Sequence, residues 1–313
     1  MKFEVEAWSP EYGISGDESQ LDDHKEPVDL DIEVPADQWL PIETPALDSV
    51  RRVVFVDGVR RIDARIWIHD GSSSRQGVCA SVAAGAVACT AEKATIVETQ
   101  VFRGFYSAPS DAAENIETKH GDYMYVPCVS DRPEDIYLGI HDQMTSLETT
   151  LMVEPEDGAA GKESSPSDFL VFDGPLRGRN IPNSLGYVKT QHVQYLPDSH
   201  QPILSKLAAG ERTPLFHIAG RFDRYSWYLR LPAAMSHPLA GIVRCEVAAN
   251  GSVDEAARLA AEASATLPRY ASEPHKDARA PQNLYPIAGL ENQLRHRLGD
   301  PLVLERALRN AAG

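Results

Sequence analysis

The chain has 313 residues, a hydrophobic content of 42% and a net charge of -16, from 30 Lys and Arg against 46 Asp and Glu. That length and composition fit a globular protein of one large domain or two small ones. The acidity excludes a simple basic nucleic-acid-binding module, because neutralising phosphates takes Lys and Arg. No apolar run reaches the length of a membrane span. The N-terminus Met1-Lys2-Phe3-Glu4-Val5-Glu6 lacks the basic and apolar regions of a secretory leader, so none is expected. Cys79, Cys89, Cys128 and Cys245 form no CxxC pair or Cys/His finger. This argues against a zinc site and for reduced, buried thiols in a cytoplasmic protein.

In chain order, residues 1–48 are rich in Asp, Glu and Pro without periodicity, and read as an extended acidic arm. Residues 49–313 show no clear linker and read as one domain. Val53-Val54-Phe55-Val56-Asp57-Gly58 is an apolar run ended by Asp-Gly, the pattern of a buried strand followed by a tight turn. Residues 61–68 alternate as a half-buried antiparallel strand does. Residues 77–89, small and apolar, predict a further strand lying close to another backbone, and 95–105 continue the sheet. Residues 135–153 carry a helical stripe of Ile136, Ile140, Met144, Leu147 and Leu151. After the polar segment 154–167, Phe169-Leu170-Val171-Phe172-Asp173-Gly174 repeats the first pattern. Strand-like runs follow at 186–190, 227–231 and 239–247, then an Ala-rich helix at 252–267 and one or two helices over 283–311.

Two neighbouring strands that each present an Asp would bring two carboxylates side by side. Such a pair is unfavourable unless a cation or a proton lies between them. It is a common way to build a divalent-metal site. Asp-Gly is also a common turn dipeptide, so for either motif alone a plain turn is the simpler account. On the predicted helix, Glu148 borders the apolar stripe and can point at the same sheet edge. Oxygen ligands without Cys or clustered His favour Mg²⁺ or Mn²⁺. Basic residues concentrate near the motifs, as Arg51, Arg52, Arg60, Arg61 and Arg65, and as Arg177 and Arg179, so the local field can oppose the overall charge.

A strand with Asp57, further antiparallel strands, a helix with Glu148 and a strand with Asp173 form the order of an RNase H-like mixed α/β sheet flanked by helices. Within that fold the chain resembles the NurA nucleases. The resemblance is carried by Phe55-Val56-Asp57-Gly58, Val171-Phe172-Asp173-Gly174-Pro175-Leu176, Gly186-Tyr187-Val188-Lys189-Thr190, Trp227-Tyr228-Leu229-Arg230-Leu231 and Ala280-Pro281-Gln282-Asn283-Leu284-Tyr285-Pro286-Ile287. It implies metal-dependent cleavage of DNA with Mn²⁺ or Mg²⁺, a homodimer, and a hexameric ATPase partner of the HerA type. Asp57 and Asp173 match the family's two strand aspartates, and Tyr285 its Tyr-Pro motif. Glu148 matches its helical Glu, with Glu98 as competitor. The family's histidine on the following helix has no counterpart here: Gln293 stands near its place, His296 lies a turn further on, and the segment His275-Lys276-Asp277-Ala278-Arg279 is the other candidate.

The expected site is therefore Asp57, Glu148, Asp173 and Tyr285, with Asp277 as a fourth carboxylate for metal. Arg60, Lys189, Arg230 and Arg279 are the expected contacts to the DNA backbone. Lys189 reads equally as an edge-strand lysine, and Tyr225, Trp227 and Tyr228 read as core aromatics before they read as stacking platforms. Two rivals remain: a catalytically inactive RNase H-like adaptor for the ATPase, and an acidic α/β protein binding a small ligand without metal.

Overall fold

The structure, a computed structural model, describes residues 2–5, 26–44, 52–70, 73–152, 168–189, 193–232, 239–273, 275–276 and 280–312. The strands are β1 (Lys2–Val5), β2 (Val28–Asp29), β3 (Val53–Asp70), β4 (Ser73–Cys89), β5 (Ala94–Ser107), β6 (Met124–Pro127), β7 (Phe169–Asp173), β8 (Ser184–Val188), β9 (Phe216–Ile218), β10 (Arg224–Arg230) and β11 (Ile242–Ala248). The helices are α1 (Pro133–Met152), α2 (Pro202–Lys206), α3 (Val253–Thr266), α4 (Tyr285–Arg297) and α5 (Pro301–Ala312). All strands join one mixed sheet in the order β2-β9-β10-β11-β8-β7-β3-β4-β5-β6, and β1 pairs with β3. None of the described helices is long and apolar enough to cross a membrane.

The meander β3-β4-β5 is antiparallel, whereas β7 runs parallel to β3 and β8 parallel to β7. Three antiparallel strands, a helix, and two strands parallel to the first are the RNase H-like arrangement. Period-2 alternation sorts β3 between two cores. Val53, Phe55 and Val59 face α3 and α4, packing with Leu259, Leu290 and Leu294. Val54 and Val56 face the other side, with Leu151, Met152 and Phe172. Helix α3 starts on a cap in which the Ser252 hydroxyl accepts from the Glu255 amide at 3.2 Å.

Gly58 makes no turn, contrary to expectation. β3 runs unbroken from Val53 to Asp70 with one irregularity between Ile62 and Ala64, and Gly58 stands opposite Ala84 inside the ladder. The glycine serves a close approach: a Cβ there would meet the Glu148 carboxylate and lie 2.6 Å from Met144 Cγ. Helix α1 can touch the sheet at that point because position 58 has no side chain.

Most of the predicted acidic arm lies outside the described residues. Its described parts, 2–5 and 26–44, dock on the sheet. β2 pairs with β9 at the sheet edge. Trp39 packs on the cluster around Phe216 and Tyr228. Glu33 takes both Arg212 amino groups at 2.7 and 2.8 Å.

Candidate active site

β3's edge opposite β4 is shared by two partners. Residues 53–56 pair with β7 and 66–69 with β1. Between them, from Asp57 onward, no described strand pairs with this edge. Asp57 thus stands where the β7 ladder ends, beside Asp173 on the adjacent strand, since Val56 is in register with Phe172. The predicted juxtaposition of the two carboxylates is present. A cavity of about 280 Å³ opens there, lined by Asp57, His141, Glu148, Asp173, Arg177 and Lys189 among others. A second opening beside Asp57 and Asp173 is lined by Arg60, Glu291 and Arg295.

Asp57 is 8% exposed, and its Oδ1 accepts from the Gly58 amide at 2.8 Å. Burial pushes its carboxyl well above the usual carboxylate range, Asp173 pushes the same way against Lys189, and Glu148 adds to it. Asp173 accepts from Lys189 Nζ at 2.6 Å, and Nζ also donates to Asn283 Oδ1 at 2.9 Å. Lys189 is therefore built into the acid pair rather than placed on an exposed edge.

Glu148 is the helical acid that reaches the cavity. Burial pushes its carboxyl up to about 7, against the pull of Arg179, which donates to Oε2. Arg179 also donates to the Pro175 carbonyl at 3.1 Å and lies over the Phe172 ring. Glu98 is not among the cavity residues; it stands opposite Ala86, two strands from Asp57, and accepts from Gln100 Nε2.

Four groups that the sequence reading left out of the site converge here. His141, two turns before Glu148 on α1, is 8% exposed, and neither ring nitrogen has a hydrogen-bond partner among the described residues. Burial lowers its imidazole to about 3, and Arg177, Arg60 and Arg179 disfavour its charged form further, so it is neutral. Glu291 on α4 faces Asp57 in the second opening and accepts from Arg295. Arg177 lines the first cavity at φ 48°, a backbone region sparse for non-glycine residues. Glu246, fully buried, accepts from the Leu176 amide at 2.7 Å and is neutralised by Arg244, which fixes the loop that presents Arg177.

Several expected site residues lie elsewhere. Arg230 is 2% exposed and its guanidinium donates to the carbonyls of Ala240 and Leu204, so it stitches the sheet instead of meeting DNA. Tyr285 does not line the cavity; its hydroxyl accepts from the Glu273 amide at 3.2 Å, and Lys276 lies over its ring. The Tyr-Pro motif reaches the site through its neighbours instead: Asn283 binds Lys189, and the Gln282 carbonyl accepts from the buried Tyr187 hydroxyl at 2.7 Å. Gln293 and His296 are exposed on α4 and line neither opening. Asp277 and Arg279 lie outside the described residues. Arg52 and Arg61 of the basic cluster are structural: Arg52 pairs with Asp168, and Arg61 with Asp63 and the carbonyls that end α4. Trp227 and Tyr228 are core.

No three His, Cys, Asp or Glu side chains among the described residues are grouped as ligands of an ion. Lys189 takes one oxygen of Asp173, and Arg179 one of Glu148. Asp57 and Asp173 do fit a hard divalent cation: both offer oxygen only, and the crowding that raises the Asp57 carboxyl is what a cation relieves. Glu148, held by Arg179, does not fit in this arrangement.

The fold and site define an RNase H-like protein with an acidic centre ringed by cations. The chain is similar to the crystal structure of the NurA nuclease from Sulfolobus solfataricus, at 12% identity over 82% of this chain and 85% of that one, with a TM-score of 0.47. It is also similar to human ENDOV, at 16% identity over 81% and 87% and a TM-score of 0.35. A third similarity is to the catalytic domain of human Endonuclease V, at 15% identity over 84% and 92% and a TM-score of 0.36. No family model and no curated protein matches the chain.

Proposed function

We propose that this chain is a metal-dependent deoxyribonuclease that hydrolyses phosphodiester bonds. The observation that carries the reading is the pair Asp57 and Asp173 on adjacent parallel strands, one deeply buried, in a cavity also lined by Arg60, Arg177, Lys189 and the Arg179-paired Glu148. Mn²⁺ or Mg²⁺ held by Asp57 and Asp173 would activate water and offset charge on the phosphate. Arg60 and Arg177 offer fixed positive charge to the phosphodiester. Lys189 orients Asp173, and Asn283 orients Lys189. His141, held neutral by burial and the surrounding arginines, can hydrogen-bond a water at a ring nitrogen but is a poor acceptor of its proton. A two-ion form of this mechanism, one ion activating water and the other offsetting charge on the leaving oxygen, would require a third carboxylate, either Glu148 released from Arg179 or Glu291 from α4.

The assembly belongs to the same proposal. A homodimer working with a HerA-type hexameric ATPase, in DNA end processing or phage defence, would turn the basic residues inward and leave the acidic exterior outside. Motif resemblance supports this, and the free buried cysteines suit a cytoplasmic setting. A second reading, an inactive adaptor docked on the ATPase, draws on the Lys189–Asp173 and Arg179–Glu148 pairs, which neutralise carboxylates without metal. Incubation of the purified protein with labelled linear DNA and Mn²⁺, with and without the ATPase, separates the two. Cleavage that EDTA abolishes supports the nuclease, and its absence under both conditions supports the adaptor.

A further inference from the structure

A larger cleft, of about 670 Å³, adjoins the acidic cavity and shares Pro175, Arg177 and Arg179 with it. Its wall begins with the loop that leaves Asp173, where Gly174, Arg177 and Gly178 take left-handed φ values of 99°, 48° and 82°. Gly178 is bare for a reason: a Cβ there would lie 2.5 Å from Cε1 of Phe222. The ring rests against this backbone yet stays 38% exposed at the cleft, with the Arg221 guanidinium 5.2 Å from its centroid.

Charge separates the cleft's arginines into two groups. Arg179, Arg224 and Arg244 are committed to Glu148, Glu26 and Glu246. Arg177 and Arg221 have no ion-pair partner among the described residues. An exposed aromatic ring beside two unneutralised guanidinium groups is the chemistry that takes a base and its phosphate. Arg177 faces both cavities, so a chain of phosphodiesters lying on it enters the cleft on one side and the acid pair on the other.

We propose that this cleft is a subsite for the nucleotide next to the one being cut, with its unpaired base stacked on Phe222 and its phosphate held by Arg177 and Arg221. This rests on the nuclease reading and goes beyond it by naming where a neighbouring base leaves the stack. A base paired in a duplex cannot present its face to Phe222, so the Phe222 platform contributes to binding of single strands alone.

Fluorescence anisotropy in EDTA tests this without catalysis, using a labelled single-stranded oligodeoxythymidylate and a blunt duplex of the same length. Phe222→Ala removes the platform, and its exposed position leaves the fold intact, which a thermal melt checks. The single strand should bind about 5- to 150-fold more weakly, the range for one stacked base. Phe222→Tyr should restore it, and duplex affinity should stay unchanged. Arg177→Gln should weaken both substrates. Phe222→Ala binding the single strand as wild type does, or losing both substrates equally, overturns the subsite. If wild-type protein cleaves DNA while Phe222→Ala is indistinguishable from it, the subsite falls and the nuclease reading stands. If wild type binds neither substrate and cuts neither, both fall.

Discussion

Replacing Gly58 by Ala tests the close approach of α1 to β3. A Cβ at this position would lie 2.6 Å from Met144 Cγ and 3.0 Å from Met144 Sδ, and would press on the Glu148 carboxylate. Overpacking of a filled interior costs about 1–3 kcal/mol. Removing a glycine from a strand interior returns about 0.5–1 kcal/mol. The net expectation is a loss of about 0.5–2 kcal/mol. Gly289 supplies the control, because it lies inside α4 and a Cβ there would meet nothing within 4 Å. The same change at Gly289 should gain about 0.5–1 kcal/mol from helix propensity. At about 2 °C per kcal/mol for a chain of this size, the two variants should melt about 2–6 °C apart, with Gly58→Ala lower. Thermal unfolding followed by circular dichroism measures this. The nuclease rate of Gly58→Ala should fall further than its stability, since the displaced atoms belong to Glu148. A Gly58→Ala protein that melts at or above wild type would refute the packing of α1 on β3.

Arg179→Ala leaves Glu148 buried without its partner, and urea unfolding should show a loss of about 3–5 kcal/mol. The double change Arg179→Met with Glu148→Leu should recover much of that stability, and loss of cleavage in it would mark Glu148 rather than Glu291 as the third carboxylate. For Glu33, burial raises the carboxyl, but the Arg212 hydrogen bonds and charge and the Leu215 amide outweigh it, so the net shift is downward. A carboxyl depressed in the folded state stabilises the fold above its unfolded value, and that contribution fades as pH falls through the folded value. Wild type should therefore lose its advantage over Glu33→Gln below about pH 4.5, which unfolding at pH 7 and at pH 3 compares directly. Tyr285→Phe should cleave DNA at near wild-type rate, because among the described residues its hydroxyl serves Glu273 and Lys276 and not the cavity, whereas Asn283→Ala should lower the rate by loosening Lys189.

Much of this site was legible in the sequence, for physical reasons. The apolar runs before Asp57 and Asp173 demanded strands buried on both faces, and the 3.6-residue stripe of 135–153 demanded a helix with Glu148 at its border. Those patterns depend on local periodicity, which a single sequence carries. Gly58 was misread because Asp-Gly is a turn signal locally, while its actual cause is a helix 90 residues later in the chain that touches the strand. Arg230 follows the apolar residues Trp227, Tyr228 and Leu229 and looks like a strand-end cation. Only the folded chain brings the Ala240 and Leu204 carbonyls to it. In the 280–287 motif the tyrosine is the conspicuous residue, yet Asn283 reaches Lys189, because Tyr285 begins α4 and points back at Glu273. His141 and Glu291 have no local signature and become site residues only in the folded chain, whereas Arg177 was visible as a cation beside the second Asp-Gly motif.

The most direct test of the account is Asp57→Ala, assayed in two ways on the purified protein. Isothermal titration with Mn²⁺ and cleavage of labelled DNA in Mn²⁺ report binding and chemistry, and a thermal melt confirms that the fold is kept. Wild type should bind Mn²⁺ and cut DNA, while Asp57→Ala should do neither and melt no lower than wild type, because the burial of the Asp57 carboxylate opposes folding. Asp57→Ala cutting DNA at the wild-type rate with Mn²⁺ binding unchanged would contradict it.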